Sequence, residues 1–585
     1  MNPIIDIKEV TFTYLGEEEP ALSNVSLSIM PGDYVLILGP SGSGKSTLLN
    51  LMNSSIPNIF EGTLEGTVVV DGLDTSEHSL ANIASVVGMV FQDPDSQLVN
   101  VFVEDEVYFG PENLCMEREQ IIQNANDAID LTDMHDFLHQ EVFYLSGGQK
   151  QKLALASVLA MQPKVILLDQ PTANLDPRTR IDVFNILAKL NKQLGLTVVV
   201  IEHEVDDIAD AINKVVVMDE GKIVHLGDPR TIFARSGESS SKSLGLWVPQ
   251  MSELAIAMKN KFDIEFDLFP ITVEEALPKI EQLLKGQDDQ LIDNLPYIPV
   301  SERYSENEVP FVEVRHLNFS YGVTDQQALT DISFKMHKGE FLAIMGKNGS
   351  GKSTLAKAIM KINKVPEGSI FIEGKDINKI SVYELTEKIG YVFQSPDHQF
   401  VTDTVFDEVA YSLRVRGIDE EIVHEKVMEV LELFNLDRYT ALSPFALSMG
   451  QRRLLSVATM LVLEQELLIL DEPTISQDQV SANLVMEYLE KLNKKGISIV
   501  IISHDMRLIS KWVDRVYVMT RSRMLFDGDT REAFNSPDLM ERAALVPPPL
   551  SELMWNLRER GLHAPSTVFT VDKFVEIYEK EIFVS

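Results

Sequence analysis

Residues 39–47 read Gly-Pro-Ser-Gly-Ser-Gly-Lys-Ser-Thr, and residues 346–354 read Gly-Lys-Asn-Gly-Ser-Gly-Lys-Ser-Thr. Each nonapeptide follows an apolar, strand-like run and opens a segment with helical spacing. A Gly-x4-Gly-Lys-Ser stretch in that setting is the pattern of a loop that wraps phosphate groups. Gly39, Gly42 and Gly44, and likewise Gly346, Gly349 and Gly351, let backbone N–H groups turn inward. The helix that follows adds partial positive charge at its N-terminus. Lys45 and Lys352 are then expected to reach the β- and γ-phosphates of a nucleotide, and Ser46 and Ser353 to ligate Mg²⁺. Thr47 and Thr354 close the two motifs.

Working outward, the loop is one of five landmarks that recur in the same order. VFQDPDSQ at 90–97 returns as VFQSPDHQ at 392–399, and LSGGQ at 145–149 as LSMGQ at 447–451. VILLDQPT at 165–172 is answered by LLILDEPT at 467–474, and IEHE at 201–204 by ISHD at 502–505. Ordered repetition of this kind means two copies of one module. A shorter repeat follows each copy: Val248-Pro249 with Ser252-Glu253-Leu254 matches Val546-Pro547 with Ser551-Glu552-Leu553, and Thr272-Val273 matches Thr570-Val571. The expected organisation is a first module at 1–235, an appendage and linker at 236–310, a second module at 311–545 and a C-terminal appendage at 546–585. Gly237–Ser243 and Ile292–Pro310 have linker composition.

Aliphatic runs such as Tyr34–Leu38, Val165–Leu168 and Thr197–Ile201 read as buried strands, and Lys152–Met161 and Arg180–Leu190 as helices between them. Such alternation implies an α/β fold with a largely parallel sheet. Asp169 and Asp471 each end an aliphatic run, where a carboxylate near a phosphate loop is placed to hold Mg²⁺.

The chain has 51 basic and 89 acidic residues among 585, a formal net charge of −38. Residues 1–300 carry −27 of it. A field of that sign argues against nucleic acid or an anionic membrane surface as the main partner. The single cysteine, Cys115, excludes an intramolecular disulfide framework. The opening residues lack a signal-peptide pattern, and no run approaches the roughly 18 apolar residues of a membrane span. A soluble cytoplasmic chain is the expectation.

With these motifs assembled, the sequence resembles the ATP-binding cassette ATPases, and LSGGQ is the feature that plain phosphate-loop proteins lack. The resemblance covers nearly the whole of both modules. It implies two tandem P-loop NTPase modules, ATP and Mg²⁺ as ligands, and a signature helix that meets the γ-phosphate held by the opposite module. Ser146, Gly147, Gly148 and Gln149 form one signature; Ser448, Gly450 and Gln451, with Met449 in place of a glycine, form the other. Gln92 and Gln394 match the glutamine that joins Mg²⁺ to the transmembrane partner. His203 and His504 match the histidine that contacts the γ-phosphate. Tyr14 and Tyr321 match the aromatic that stacks on adenine, with a core-facing strand aromatic as the alternative.

The copies differ. The family places a water-polarising glutamate after the magnesium aspartate; the second module has it as Glu472, whereas the first has Gln170. General-base catalysis is worth about 10²–10⁴ in rate. Because the family's sites form head to tail, Gln170 and Met449 fall on one site. Glu472 and the intact first signature fall on the other. The resemblance therefore implies one competent and one degenerate site, with Glu472, His504 and Gln394 serving catalysis.

VFQDPDSQLVNVFVEDEVYFGPENL at 90–114 most closely resembles the ATPases of energy-coupling-factor transporters, which import vitamins or transition-metal ions. That branch implies a transmembrane coupling protein, a substrate-binding membrane subunit and a place on the cytoplasmic face of the membrane. Its basic coupling helices would meet Asp93, Asp95, Glu104, Asp105 and Glu106 in one groove and Asp397, Asp403, Asp407 and Glu408 in the other. The alternative is a cytosolic tandem cassette acting on ribosomes or nucleic acid. Residues 236–310 hold 6 basic against 14 acidic residues, the wrong sign for RNA contact.

Overall fold

The computed structural model describes residues 2–173, 175–236, 245–285, 309–322, 327–463, 465–475, 477–562, 564–566 and 568–582. Gly237–Ser243 and all but the last two residues of Ile292–Pro310, the two linker-like stretches, lie outside them. The chain divides into two units: Met1–Lys259 with Ile264–Glu275, and Asn260–Asp263 with Ala276–Ser585.

The first unit contains β1 (Ile5–Tyr14), β2 (Leu22–Ile29), β3 (Tyr34–Leu38), β4 (Gly62–Val70), β5 (Leu73–Asp74), β6 (Val87–Val90), β7 (Val165–Asp169), β8 (Thr197–Ile201), β9 (Lys214–Asp219) and β10 (Lys222–Gly227). They form an antiparallel sheet, β2-β1-β4-β5, and a six-stranded sheet, β10-β9-β3-β8-β7-β6. The pairs from β9 to β6 are parallel and only β10 runs antiparallel. Strands buried on both faces need side chains that are apolar throughout, which Tyr-Val-Leu-Ile-Leu and Thr-Val-Val-Val-Ile supply. One face packs through Val35 and Ile37 on the antiparallel sheet and the helix Lys45–Met52; the other packs through Leu36 and Leu38 against Leu155, Val183 and Phe184.

The helix read as Arg180–Leu190 runs Pro177–Leu194. Its Asp176 side chain accepts from Thr179 N–H, Pro177 takes the first turn, and Gly195 ends it at φ 68°. Capping residues carry no apolar period, so spacing alone stops short of them. The second helix, read as Lys152–Met161, begins at Gly147 and ends at Leu159, so the signature is its first turn.

The second unit repeats this plan. Its strands are β11 (Val312–Ser320), β12 (Gln327–Met336), β13 (Phe341–Met345), β14 (Ile370–Ile372), β15 (Lys375–Asp376), β16 (Ile389–Val392), β17 (Leu467–Asp471), β18 (Ser498–Ile502), β19 (Arg515–Thr520) and β20 (Arg523–Asp529). The sheets are β12-β11-β14-β15 and β16-β17-β18-β13-β19-β20. Within this unit Lys261 pairs with Glu579 at 2.5 Å, Arg560 with Glu281 at 2.6 Å, and Phe262 meets Tyr578 edge-on at 5.1 Å. Among the described residues, no helix is long and apolar enough to cross a membrane.

Candidate functional site

In each unit the phosphate loop, the expected magnesium aspartate and the expected histidine gather at the C-terminal ends of parallel strands, whereas the signature opens a helix and the tyrosine ends or follows an antiparallel strand. The phosphate loop leaves β3 (β13 in the second unit), Asp169 (Asp471) ends β7 (β17), and His203 (His504) follows β8 (β18). Strand order puts β8 between β3 and β7, so three separate sequence landmarks meet at one sheet edge.

The loops are tight. A Cβ on Gly39 would lie 2.2 Å from Met218 O, and one on Gly346 2.1 Å from Met519 O, so only glycine fits. Gly42 and Gly349 differ: their Cβ positions meet nothing within 4 Å. The loop is thus packed on its inner side and open on its outer side. Lys45 Nζ donates to Gly39 O and Pro40 O at 2.9 and 2.7 Å, and Lys352 Nζ to Gly346 O and Lys347 O at 2.7 and 3.1 Å. Both ammonium groups are thereby held over their own loops. The Tyr14 hydroxyl lies 3.1 Å from Thr47 Oγ1, and that of Tyr321 3.1 Å from Thr354 Oγ1. Tyr321 is 55% exposed, so it is not a core aromatic; Tyr14 is half-buried against Phe12.

Burial pushes the carboxyls of Asp169 and Asp471 above their ordinary range, and Ser46 or Ser353 with the loop lysine partly offsets this. Asp471 Oδ2 accepts from the Tyr391 hydroxyl at 3.0 Å, while its Oδ1 is buried without a hydrogen-bond partner.

The neighbouring position separates the two units. Glu472 Oε1 lies 2.7 Å from His504 Nδ1, with both side chains less than a tenth exposed. Burial raises the Glu472 carboxyl, but His504, Lys352 and Arg453 outweigh it and hold it below its ordinary value. It is therefore a charged carboxylate at neutral pH. Gln170 Nε2 lies 3.1 Å from His203 Nε2, and Gln170 Oε1 is buried without a partner. Glu472 and Gln170 share a left-handed backbone, φ 52° and 47°.

The signature serines and glutamines are consumed by capping. Gln149 N–H donates to Ser146 Oγ at 3.4 Å and Ser146 N–H to Gln149 Oε1 at 2.7 Å; Ser448 and Gln451 make the same box at 3.3 and 3.0 Å. Each box satisfies two donors and leaves the first-turn N–H groups of the motif to other acceptors. A Cβ at Gly147, the counterpart of Met449, would meet nothing within 4 Å of its own unit.

Two of the carboxylates expected to charge the grooves do not do so. Glu106 is 3% and Glu408 4% exposed. Glu106 Oε2 accepts from Val99 N, Asn100 N and Asn100 Nδ2, and Glu408 Oε2 from Val401 N, Thr402 N and Thr402 Oγ1. Burial amid donors makes them loop anchors rather than surface charge. Asp95 is neutralised by Lys150 and Asp397 by Arg452. Gln92 is half-buried and Gln394 exposed. Spacing gave no sign of Arg453, 5% exposed, which donates to Phe393 O at 2.9 Å and to Gln394 O, tying the glutamine loop to the signature helix. Burial pushes its pKa down to about 10.

The ABC transporter domain family matches residues 22–173 and 329–475. A protein of Methanosarcina mazei named as an ABC transporter ATP-binding protein is 35% identical over 99% of this chain and 98% of its own length. The chain belongs to the ABC transporter ATP-binding family. Proteins of the same description from Photobacterium profundum and Streptococcus mutans are 37% and 35% identical, each over 93% of this chain and 94% of their own. Among solved structures, cbiO1 from Clostridium perfringens, described as part of the ABC transporter complex cbiONQ, is 31% identical over 42% of this chain and all of its own, with a TM-score of 0.37.

This tandem ABC ATPase binds ATP with Mg²⁺, and its residues fit both. The outer face of each phosphate loop is open at Gly42 and Gly349, and Asp471 offers an orphaned carboxylate oxygen. Among the described residues there is no cluster of three or more His, Cys, Asp or Glu side chains that could hold a metal. Mg²⁺ suits that sparse set, because it binds through one or two carboxylates plus phosphate oxygens and water. Ser46 with Asp169 and Ser353 with Asp471 would hold it, and bound there it would neutralise phosphate charge.

Proposed function

We propose that this chain is the ATP-hydrolysing, energising subunit of an importer of the energy-coupling-factor type, serving vitamin or transition-metal ion uptake. It works with one competent and one degenerate site. The observation that carries the asymmetry is the Glu472–His504 pair set against Gln170–His203 at the same backbone position.

Glu472 is charged and buried beside the phosphate loop, so its carboxylate is the base that takes a proton from the attacking water. His504 orients it through Nδ1. Lys352 and the first-turn N–H groups of the signature helix at Ser146–Gln149 stabilise phosphate charge, and Gln394 links the site to the membrane partner. In the other site Lys45, Ser46, Asp169 and His203 retain the means to bind ATP. Gln170, however, has no carboxylate to accept a proton, and Met449 adds a side chain where the signature approaches phosphate. ATP binding then acts as the closing step between modules and hydrolysis as the reset. A transmembrane coupling protein docks beside Gln92 and Gln394 at the cytoplasmic face of the membrane. The transporter names of the full-length relatives favour this reading over action on ribosomes.

Steady-state ATPase assays of Glu472→Gln and Gln170→Ala test the asymmetry. The expected loss is 10²–10⁴-fold in the first and under threefold in the second. Equal losses would sink it. Co-purification from native membranes tests the importer role, where recovery of ribosomal rather than membrane proteins would overturn it.

A further inference from the structure

The expected magnesium aspartate of the second unit is gripped on one oxygen. Tyr391 sits in β16 and pairs with Ile469 of β17, two residues before Asp471. Its hydroxyl donates to Asp471 Oδ2 at 3.0 Å, while Asp471 Oδ1 is buried without a hydrogen-bond partner. Both side chains are enclosed, Tyr391 at 4% and Asp471 at 2% exposed. The tyrosine ring stands edge-on to Phe393 at 4.8 Å and belongs to the core with Ile344, Leu467 and Ile469. A ring packed on all sides holds its hydroxyl at a fixed point. The last torsion of an aspartate is broad and roughly two-fold, so a carboxylate with no partner turns over a wide range. A hydroxyl on one oxygen removes that freedom.

The first unit holds its aspartate differently. Met89 of β6 stands where Tyr391 stands, paired with Leu167 as Tyr391 is with Ile469. A thioether has no proton to donate, and the Met89 sulfur instead accepts from Asn53 Nδ2 at 2.7 Å. The counterpart of Asn53, just past the phosphate-loop helix, is Met360, which packs on the core. Polar and apolar members have thus exchanged places: Asn53 faces Met89 in one half, and Met360 accompanies Tyr391 in the other. The polar group that joins helix end to strand in the first unit is replaced by one that holds a carboxylate in the second. Ser46 and Lys45 act on Asp169 as Ser353 and Lys352 act on Asp471, so the tyrosine hydroxyl is what the second half adds.

We propose that Tyr391 is a positioning residue for Mg²⁺ in the second nucleotide site, its hydroxyl holding Asp471 Oδ2 so that Oδ1 is left for the metal. This role rests on the reading of Asp471 as the magnesium aspartate. Mg²⁺ demands near-ideal geometry and takes only one or two carboxylates beside phosphate oxygens and water, so the orientation of a single carboxylate matters. Outer partners of this kind tune metal affinity without touching the ion. Met89 gives the first half no such partner, and the halves then differ in their hold on the metal as well as at Gln170.

The test uses the full chain with Lys45→Ala, which disables the first phosphate loop so that the second reports alone. Mn²⁺ is titrated in the presence of the non-hydrolysable analogue AMP-PNP, and free Mn²⁺ is read by electron paramagnetic resonance. In Tyr391→Phe the half-saturating Mn²⁺ should rise about tenfold, while AMP-PNP affinity in EDTA should change by less than about twofold. Tyr391→Met, which carries the residue of the first half, should give the same shift. An unchanged midpoint in Tyr391→Phe, with Mn²⁺ binding lost in Asp471→Asn, overturns the role of the hydroxyl and leaves that of the aspartate standing. A wild-type midpoint in Asp471→Asn overturns both. Equal weakening of nucleotide binding with and without metal also overturns the proposal, because Tyr391 would then serve packing alone.

Discussion

The Arg230–Glu275 fork, two hydrogen bonds of 2.7 Å, makes a quantitative prediction about how the first appendage is held. Glu275 Oε2 also accepts from Ile271 N–H at 2.9 Å, so one carboxylate secures both an arginine of the module and the start of its own helix. The two side chains are 29% and 24% exposed, and Arg230 holds the Glu275 carboxyl below its ordinary value. Hydrogen bonds to charged groups contribute about 1.5–3 kcal/mol, and partial exposure argues for the lower part of that range. A double-mutant cycle of Arg230→Ala and Glu275→Ala is therefore expected to give a coupling of about 1.5–2 kcal/mol. In native-state hydrogen exchange, loss of about 2 kcal/mol makes amides near Ile271–Glu275 open roughly 30-fold more often. The sign with pH follows from the lowered carboxyl. Its contribution is complete above the unfolded-state value near 4.3 and is lost as pH falls through the lower folded-state value, so wild type and Glu275→Ala should converge in acid. A coupling under about 0.5 kcal/mol, or unchanged exchange, would refute the claim that this fork secures the appendage.

Two further perturbations separate packing from ligand contact. Gly346→Ala drives a methyl to within 2.1 Å of Met519 O and should destabilise the second unit by about 3 kcal/mol or more in thermal melts. Gly349→Ala has open space around it, costs only about 1 kcal/mol of left-handed strain, and should instead lower nucleotide affinity in equilibrium binding. Glu106→Gln removes a charged acceptor of three hydrogen bonds and should lower stability by about 2 kcal/mol, whereas Asp93→Asn on the exposed loop should change it by less than about 0.5 in denaturant titrations.

Much of the site was legible because its chemistry uses residues that are rare in combination and fixed in spacing. In each unit the Gly-Lys-Ser loop, the aspartate ending β7 or β17 and the histidine after β8 or β18 lie at one edge of that unit's own parallel sheet. Groups whose role depends on burial were not legible. Glu106 and Asp105 are adjacent in sequence and equally acidic, yet only Glu106 turns inward to a ring of N–H donors. Arg453 lies in an ordinary helical stretch, and only the fold brings it to the carbonyls of Phe393 and Gln394.

The left-handed backbone at position 170 bears on how the two halves diverged. A non-glycine residue there costs about 1–3 kcal/mol, and Glu472 tolerates it beside His504 and the phosphate loop. Gln170 bears the same strain without a carboxylate and leaves its Oε1 unsatisfied, so nothing local recovers the cost except the contact with His203. Relaxation to glycine would remove that strain. This backbone beside His203 fits our proposal that the first site still binds nucleotide while Gln170 and Met449 make it a poor hydrolytic site. The appendages differ too: Arg230 pairs with Glu275 in the first unit, whereas the repeat puts Lys573 at the position of Glu275 in the second, where it pairs with Glu576. In both places the backbone repeats while the side chains placed on it change. On the proposed reading, specialisation between the halves resides in side-chain placement on a shared scaffold, and Gln170→Glu, which restores a proton acceptor, is the substitution that should move the first site toward the second.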